Sequence, residues 1–157
     1  MEAVFVCQRC GACCLGQGGI VVGLAEQERI CAFLGLSLVE FLETYAVERR
    51  GKVEIAVNDM NQCVFFGPSG CLIHPAKPDV CRAWPFFRGN LMDRDSWKMA
   101  QDACPGLIRT ASFKEFSRLG LRYLQCRKLV HVGRDEANAL IVRDIEVSFM
   151  SGNGEEE

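Results

Sequence analysis

Four cysteines fall within eight residues near the start of the chain, in the stretch Cys7-Gln8-Arg9-Cys10-Gly11-Ala12-Cys13-Cys14. A C-x2-C-G turn directs both of its sulfurs into the same space, because the glycine tolerates a positive φ. Two such thiolates can occupy two corners of a tetrahedron around zinc or iron, each at about 2.3 Å from the metal. The sequence therefore predicts a site for a soft metal near the N-terminus.

Cys13 and Cys14 are adjacent, so their side chains leave the backbone in different directions and are not expected to bind one ion together. In this interpretation one of them completes the first site, while the other reaches a second site or bridges the two sites. Four later cysteines are spaced too widely to form a site alone, so the fold must bring them in: Cys63, Cys71, Cys81 and Cys104.

Disulfides are the other explanation for ten cysteines, since small secreted proteins use them as staples. Residues 1–6 have no basic region and only a four-residue apolar run, so we do not expect them to form a signal peptide. No apolar run approaches the roughly twenty residues that span a bilayer. We therefore expect a cytoplasmic protein whose reduced thiols bind metal.

Length and charge limit the remaining function classes. With 157 residues the chain can bury a core without the help of a metal. A net charge of −2 does not favour a nucleic-acid surface, and the basic residues between 118 and 134 are interpreted as a solvated helix face. We expect one metal-binding domain over residues 1–150, a disordered acidic tail over 151–157, and neither a nucleic-acid nor a membrane partner. The sequence indicates no particular protein partner.

The first half of the chain predicts a pair of helices. One is expected from Leu24 to about Gly35, where the glycine ends it. The second begins with a capping box, Ser37-Leu38-Val39-Glu40, and its apolar residues recur on one helical face.

Turn-forming residues then predict short antiparallel hairpins. Residues 52–57 alternate polar and apolar side chains, and Asn58-Asp59 is expected to turn the chain back into residues 63–66. Gly67-Pro68-Ser69-Gly70 is a second turn signal, and residues 71–73 are expected to form the strand on its far side.

The second half is expected to contain a weaker hairpin over residues 86–99, around Gly89-Asn90, and then a helix from Ser112 to about Val130. Residues 139–142 are apolar, further apolar residues follow at 145, 147 and 149, and this pattern favours strand slightly over helix. The predicted fold is a small, loop-rich α+β domain with a helical pair, short antiparallel hairpins and a C-terminal helix.

The ordered motifs resemble a known family. The chain reads C-x2-C-G-x-C-C-x-G, a helical pair, C-x-F-F, and then C-x-I-H-P-x-K-P-x-x-C-R-x-W-P-F. Over residues 7–104 this resembles the cysteine-cluster family named for its CxxCxxCC motif, whose domains chelate zinc or iron. The family usually has an aromatic residue and Arg-Pro where this chain has His74 and Lys77-Pro78.

The resemblance implies a metal centre built from eight cysteines. Carried over to this sequence, they are Cys7, Cys10, Cys13, Cys14, Cys63, Cys71, Cys81 and Cys104. The spacing of Cys7, Cys10 and Cys13, with the later Cys104-Pro105, also matches the pattern of ferredoxins that bind [4Fe-4S] clusters. Two zinc sites of four thiolates would use all eight equally well, so both cofactors stay open.

The remaining candidates have simpler interpretations. Cys31 and Cys126 are isolated in sequence and are expected to fill the core. His74 is a weaker candidate ligand than the eight cysteines, and His131 is interpreted as a surface residue near a helix end. Three cations are expected to compensate the thiolate charge, namely Arg9, Lys77 and Arg82. Three aromatic residues are expected to form an apolar lid over the sulfurs, namely Trp84, Phe86 and Phe87.

These observations favour a metal-binding protein in which zinc or an iron–sulfur cluster organises a loop-rich region. One alternative is an iron–sulfur enzyme or enzyme subunit, which performs electron transfer or supports methylation, because flagellin lysine methylases contain a similar domain. Another is a metal carrier or a thiol redox sensor. No nucleotide-binding motif, acid/base pair or catalytic nucleophile is found in the sequence.

Overall fold

The computed structural model describes residues 4–16, 19–130 and 138–142. Six α-helices lie in this part of the chain: α1 (Leu24–Leu34), α2 (Leu38–Tyr45), α3 (Asp79–Ala83), α4 (Arg88–Met92), α5 (Arg94–Ala103) and α6 (Phe113–Cys126). Four short strands form two hairpins, β1 (Ala46–Arg49) with β2 (Lys52–Ile55) and β3 (Phe66–Gly67) with β4 (Gly70–Cys71). The α+β prediction is confirmed. None of these helices is both long and apolar enough to cross a membrane.

The helical pair forms where the sequence predicts it. Gly35 adopts the left-handed conformation at the end of α1, with φ of 70°. The Ser37 side chain accepts a hydrogen bond from the Glu40 N–H at 3.2 Å, and the Glu40 carboxylate accepts one from the Ser37 N–H at 2.8 Å. This reciprocal cap satisfies two N–H groups that a helix start otherwise leaves unpaired.

The first hairpin differs from the prediction. Strand β2 pairs with the preceding β1, from Ala46↔Ile55 to Arg49↔Lys52, and not with residues 63–66. Arg50 and Gly51 both have positive φ, 54° and 72°, as a two-residue turn between right-twisted strands requires. The Asn58-Asp59 turn does form, and it pairs Val57 with Cys63 as an isolated bridge instead of a strand.

The second hairpin is confirmed. Strands β3 and β4 pair through Phe66↔Cys71 and Gly67↔Gly70, so Pro68 and Ser69 form the loop between them. Gly70 has a φ of 93°, which favours glycine at the point where the chain reverses. Cys71 is therefore the last residue of a very short hairpin, at the end opposite its loop.

The predicted hairpin over residues 86–99 is wrong, because this segment forms α4 and α5. Gly89 lies inside α4 instead of in a turn. The Asp93 side chain accepts a hydrogen bond from the Ser96 N–H at 2.7 Å and so caps the start of α5. Trp97 and Ala100 are the buried positions of α5. Their spacing of three residues is the periodicity of a helix and not of a strand.

The C-terminal helix α6 begins after Ser112, whose side chain accepts from the Glu115 N–H at 3.2 Å, as predicted. It ends at Cys126, a few residues before the expected Val130. Asn138–Leu140 form a single 3₁₀ turn instead of a strand. The remainder of the expected strand over 139–149, and the tail over 151–157, lie outside the described residues.

Two hydrophobic clusters form the interior. The first is built mainly on α3 to α6, with Phe86, Phe116 and Leu124 at its centre. The second lies between α1, α2 and the first hairpin, and contains Ile30 and Phe41. The N-terminal segment joins the first cluster, because the Val6 N–H donates to the Gly106 carbonyl and the Ile108 N–H donates to the Val4 carbonyl.

One buried carboxylate connects the two clusters. Glu26 of α1 accepts the N–H of Gly23 and the N–H of Asp79, both at 2.7 Å. Arg29, one turn later, pairs with the Asp79 carboxylate at 2.8 Å. The start of α1 and the start of α3 are therefore fixed to each other.

Gly120 of α6 provides a test of this packing. A Cβ at this position would overlap the Phe86 ring and lie 2.8 Å from Leu91 Cδ2. Alanine has the higher helix propensity, yet we expect Gly120→Ala to destabilise the protein by about 1–3 kcal/mol, because the core has no room for the added methyl. Urea unfolding measures the change in free energy.

The matched control is Gly89→Ala in α4, where an added Cβ has nothing within 4 Å. We expect this variant to be neutral or more stable by up to about 1 kcal/mol. Equal effects of the two substitutions would contradict the packing at Gly120.

Candidate metal centre

Six of the eight predicted cysteine ligands line one cavity of about 330 Å³: Cys7, Cys13, Cys14, Cys63, Cys71 and Cys81. They come from three parts of the chain that are distant in sequence, which are the N-terminal loop, the region of the β3–β4 hairpin, and α3. Residues of both hydrophobic clusters complete the walls, including Ile55, Phe65 and Val80. The fold thus brings together most of the thiols that the sequence proposes as one set.

The N-terminal loop is held in place by backbone hydrogen bonds. After Val6 the chain leaves its pairing with Gly106 and turns through a 3₁₀ helix over Ala12–Cys14. The Cys14 carbonyl then accepts the Cys63 N–H at 2.8 Å. This bond places the end of the first cysteine group directly beside the first cysteine of the second group.

Gly11 is required at its position for two separate reasons. Its φ of 79° lies in the left-handed region, as the C-x2-C-G pattern predicts. In addition, the Phe66 ring packs against the side of Gly11 where a side chain would be, so an added Cβ would overlap the ring. The N-terminal loop is thereby packed against strand β3.

Cys63 precedes strand β3 by three residues, and Cys71 is the last residue of strand β4. The Phe66 N–H donates to the Cys63 carbonyl at 2.9 Å, and Phe66 is the pairing partner of Cys71. The short hairpin therefore returns the chain to the same place and presents both thiols at one wall of the cavity.

Cys81 lies on α3, whose position is fixed by the Glu26 and Arg29 contacts with Asp79. Pro78 precedes the helix and restricts the backbone at its start. The cysteine therefore projects from a helix held in place before any metal binds.

The thiols influence one another electrostatically. Burial raises the pKa of Cys63, Cys71 and Cys81, and interactions with neighbouring thiols raise each of them further. A hydrogen bond between Cys14 and Cys13 lowers the pKa of Cys13 to about 6 and raises that of Cys14. Lys77 also lowers the pKa of Cys13. A metal that binds these neutral thiols displaces their protons into solution. Metal binding here is therefore favoured as the pH rises.

Two predicted ligands lie outside the cavity lining. Cys10 is exposed, and Cys104 is buried in the first hydrophobic cluster. Phe5 pairs with Leu107 as a single antiparallel bridge, three residues after Cys104. In the part of the chain that the structure describes, no three His, Cys, Asp or Glu side chains are arranged to hold one ion. The thiols converge without forming a closed coordination shell.

The other predicted site residues divide between the cavity and the rest of the molecule. Arg9, His74 and Lys77 line the cavity, whereas Arg82 lies 3.9 Å from the Asp79 carboxylate and is not part of the lining. Trp84 and Phe87 line it as expected, with ring centroids 5.2 Å apart and planes at 73°.

Three further predictions have different outcomes. Phe86 belongs to the core and not to the lid, because it is fully buried against Phe116. Cys31 is buried in the second cluster as predicted, but Cys126 is exposed, so its assignment to the core is wrong. His131 lies outside the described residues.

Sequence analysis missed several residues that build the site. Apolar side chains from separate elements close the cavity, among them Ile20, Ile55 and Ile73. Glu26 and Arg29 position α3 from 53 and 50 positions away along the chain, and the sequence carries no signal of that contact.

Comparison with known families matches the geometry. The family model CxxCxxCC, described as a putative zinc- or iron-chelating domain, matches residues 6–105. This range includes all eight predicted cysteine ligands and both hairpins. No solved structure matches the chain.

The contact between Gly11 and Phe66 is testable. We expect Gly11→Ala to displace the N-terminal loop and to lower the metal content of the purified protein, because the methyl overlaps the Phe66 ring and strains the backbone. Elemental analysis of anaerobically purified protein measures the loss. Gly51→Ala is the matched control, since Gly51 has a φ of 72° but nothing within 4 Å of an added Cβ. An equal loss of metal in both variants would assign the effect to backbone strain alone.

Proposed function

Because this chain belongs to the CxxCxxCC family of zinc- or iron-chelating domains, we propose that its clustered cysteines hold a metal centre that organises the loops between its two hydrophobic clusters. We propose as ligands the eight cysteines Cys7, Cys10, Cys13, Cys14, Cys63, Cys71, Cys81 and Cys104. We further propose that the protein works in the cytoplasm, where thiols stay reduced.

One observation carries this proposal, which is the convergence of six cysteines from three distant segments on one cavity. The described residues that line the cavity include no Asp or Glu. Thiolates without carboxylates favour zinc, copper(I) or iron–sulfur centres, whereas magnesium and calcium require oxygen ligands. The donor set therefore fits a soft metal.

The segments that carry the thiols explain what a metal would do for this protein. A centre bound by the N-terminal loop, the hairpin region and α3 cross-links three segments that are otherwise joined by few hydrogen bonds. A structural zinc contributes about 10–16 kcal/mol in small domains, which is comparable with the net stability of roughly 5–15 kcal/mol of a whole domain. Loss of metal is therefore expected to loosen the region from Cys63 to Cys104.

Completing the ligand set requires a movement of the N-terminal loop. Cys7 lines the cavity, but Cys10 is exposed and Cys104 is buried in the first hydrophobic cluster. Arg9 and Gly11 both have positive φ within this loop, 53° and 79°. We propose that metal binding closes the loop over the cavity.

Two other functions rest on specific observations. An iron–sulfur role in electron transfer, or in an enzyme that transfers a methyl group, is favoured by the ferredoxin-like spacing of Cys7, Cys10 and Cys13 and by the apolar walls of the cavity. A thiol redox sensor is favoured by Cys13, which is exposed, has a pKa lowered to about 6 and is adjacent to Cys14.

Metal analysis of protein purified without oxygen separates these functions. We expect at least one zinc or iron per folded, fully reduced chain. A colourless zinc protein supports the structural role, while visible absorption that bleaches on chemical reduction supports an iron–sulfur centre. Reduced, folded protein with less than one metal per chain would contradict the metal proposal, and reversible pairing of Cys13 with Cys14 in that protein would instead support the sensor.

Two cysteine variants test the assignment of ligands. We expect Cys81→Ser to lower the metal content and the thermal stability, because it removes a thiolate from the fixed wall of the cavity. Cys126→Ser is the matched control, since Cys126 is exposed at the end of α6 and outside the cavity lining. Full metal content in Cys81→Ser, measured beside wild-type protein, would exclude Cys81 as a ligand.

A further inference from the structure

The cavity has an unusual charge distribution. Arg9, His74 and Lys77 line it, yet no carboxylate lines it in the part of the chain that the structure describes. The whole protein has 20 acidic and 18 basic residues, so this excess of basic side chains is local. Neither Arg9 nor Lys77 forms an ion pair with a described carboxylate. Two permanent cations therefore face a group of thiols.

Lys77 is held rigidly at this wall. Arg29 donates a hydrogen bond to the Lys77 carbonyl at 3.2 Å and also pairs with Asp79, two residues further on. Pro78 lies between them and fixes its own φ. The backbone of Lys77 is thus attached to α1, and the residue is half-buried where it lines the cavity.

Lys77 shares the cavity with several of the thiols. Cys13, Cys71 and Cys81 line it together with Lys77. These cysteines belong to three different segments of the chain. One ammonium group at this wall therefore favours negative charge on the thiols that share its cavity.

The four-thiolate candidate sites share one formal charge. Four thiolates around a divalent ion carry two net negative charges, and so do four thiolates around a [4Fe-4S]²⁺ cluster. Two such sites would use all eight proposed cysteines and carry four. Negative charge in an apolar cavity is costly unless opposite charge lies nearby. Arg9 and Lys77 together supply two positive charges.

We propose that Lys77, assisted by Arg9, is the counter-charge of the metal centre and sets its affinity for a centre with two net negative charges. This inference rests on the proposed metal-binding function and adds a role for residues that are not ligands. Lys77 acts on the metal through the thiolates, so it is a positioning residue and not a ligand.

Zinc affinity of the reduced, full-length protein tests this role. We expect Lys77→Met to bind zinc about 10–100-fold more weakly than wild type in competition with a chromogenic chelator, the range typical for residues that support metal ligands. Lys77→Arg keeps the charge and is expected to bind close to wild type, whereas Lys77→Glu is expected to bind more weakly than Lys77→Met. Lys114→Met, on the exposed side of α6, is the matched control and should not change affinity.

The outcomes distinguish charge from structure. Loss of affinity that is the same in Lys77→Met, Lys77→Arg and Lys77→Glu would overturn the proposal, because a packing defect does not follow charge. Affinity in Lys77→Met equal to that in Lys114→Met would also overturn it, while leaving metal binding itself intact. Failure of wild-type protein to bind any metal would instead reject the proposed function on which the inference rests.

Arg9→Met provides an independent variant if Lys77→Met does not fold, since Arg9 is exposed and its side chain forms no ion pair with the described residues. We expect it to weaken zinc binding in the same direction as Lys77→Met, and more strongly at low salt than at high salt, because mobile ions screen an exposed charge. Unchanged affinity in a folded Arg9→Met variant at low salt would remove Arg9 from the proposal.

Discussion

The carboxylate of Glu26 is the contact on which the arrangement of the site depends. It accepts a backbone N–H from Gly23 at the start of α1 and another from Asp79 at the start of α3, both at 2.7 Å. A buried carboxylate is costly unless its oxygens are satisfied, and here both are, by donors at two helix starts where negative charge is favoured. Because α3 carries Cys81 and follows Lys77, this contact fixes one wall of the cavity relative to the second hydrophobic cluster.

The opposite wall is built differently. The N-terminal loop has few side-chain contacts and is held mainly by backbone hydrogen bonds, from Val6 to Gly106 and from Cys63 to Cys14, and by the Phe66 ring over Gly11. A rigid wall of helix and hairpin therefore faces a loop with several exposed thiols. In the proposed centre, the thiols of the helix and the hairpin would define the place and the loop would close on it. Lys77 belongs to the same wall as Cys81, because it directly precedes α3.

Local chemistry explains which parts of the fold could be predicted. The α1–α2 pair and the start of α6 follow from a glycine stop and two serine caps, and the β3–β4 hairpin follows from Gly67-Pro68-Ser69-Gly70. Each signal acts within four or five residues. Gly89-Asn90 is typical of a turn and predicts a hairpin over 86–99, whereas the Asp93 cap and the burial of Leu91, Trp97 and Ala100 favour helices. Strand β2 pairs with β1 instead of residues 63–66 because Arg50-Gly51 forms a tight turn between them.

By itself the sequence determined the donor chemistry, which is many thiols and a C-x2-C-G turn, and through these the family. It could not determine which cysteines meet, because their pairing depends on contacts between residues far apart in the chain. Only the tertiary structure brought Cys63 beside Cys14, placed Lys77 on a wall without carboxylates, and left Cys10 exposed and Cys104 in the core. The physical reason is that hydrogen bonds and packing between distant segments, such as Glu26 with Asp79, act in space and leave no pattern along the sequence.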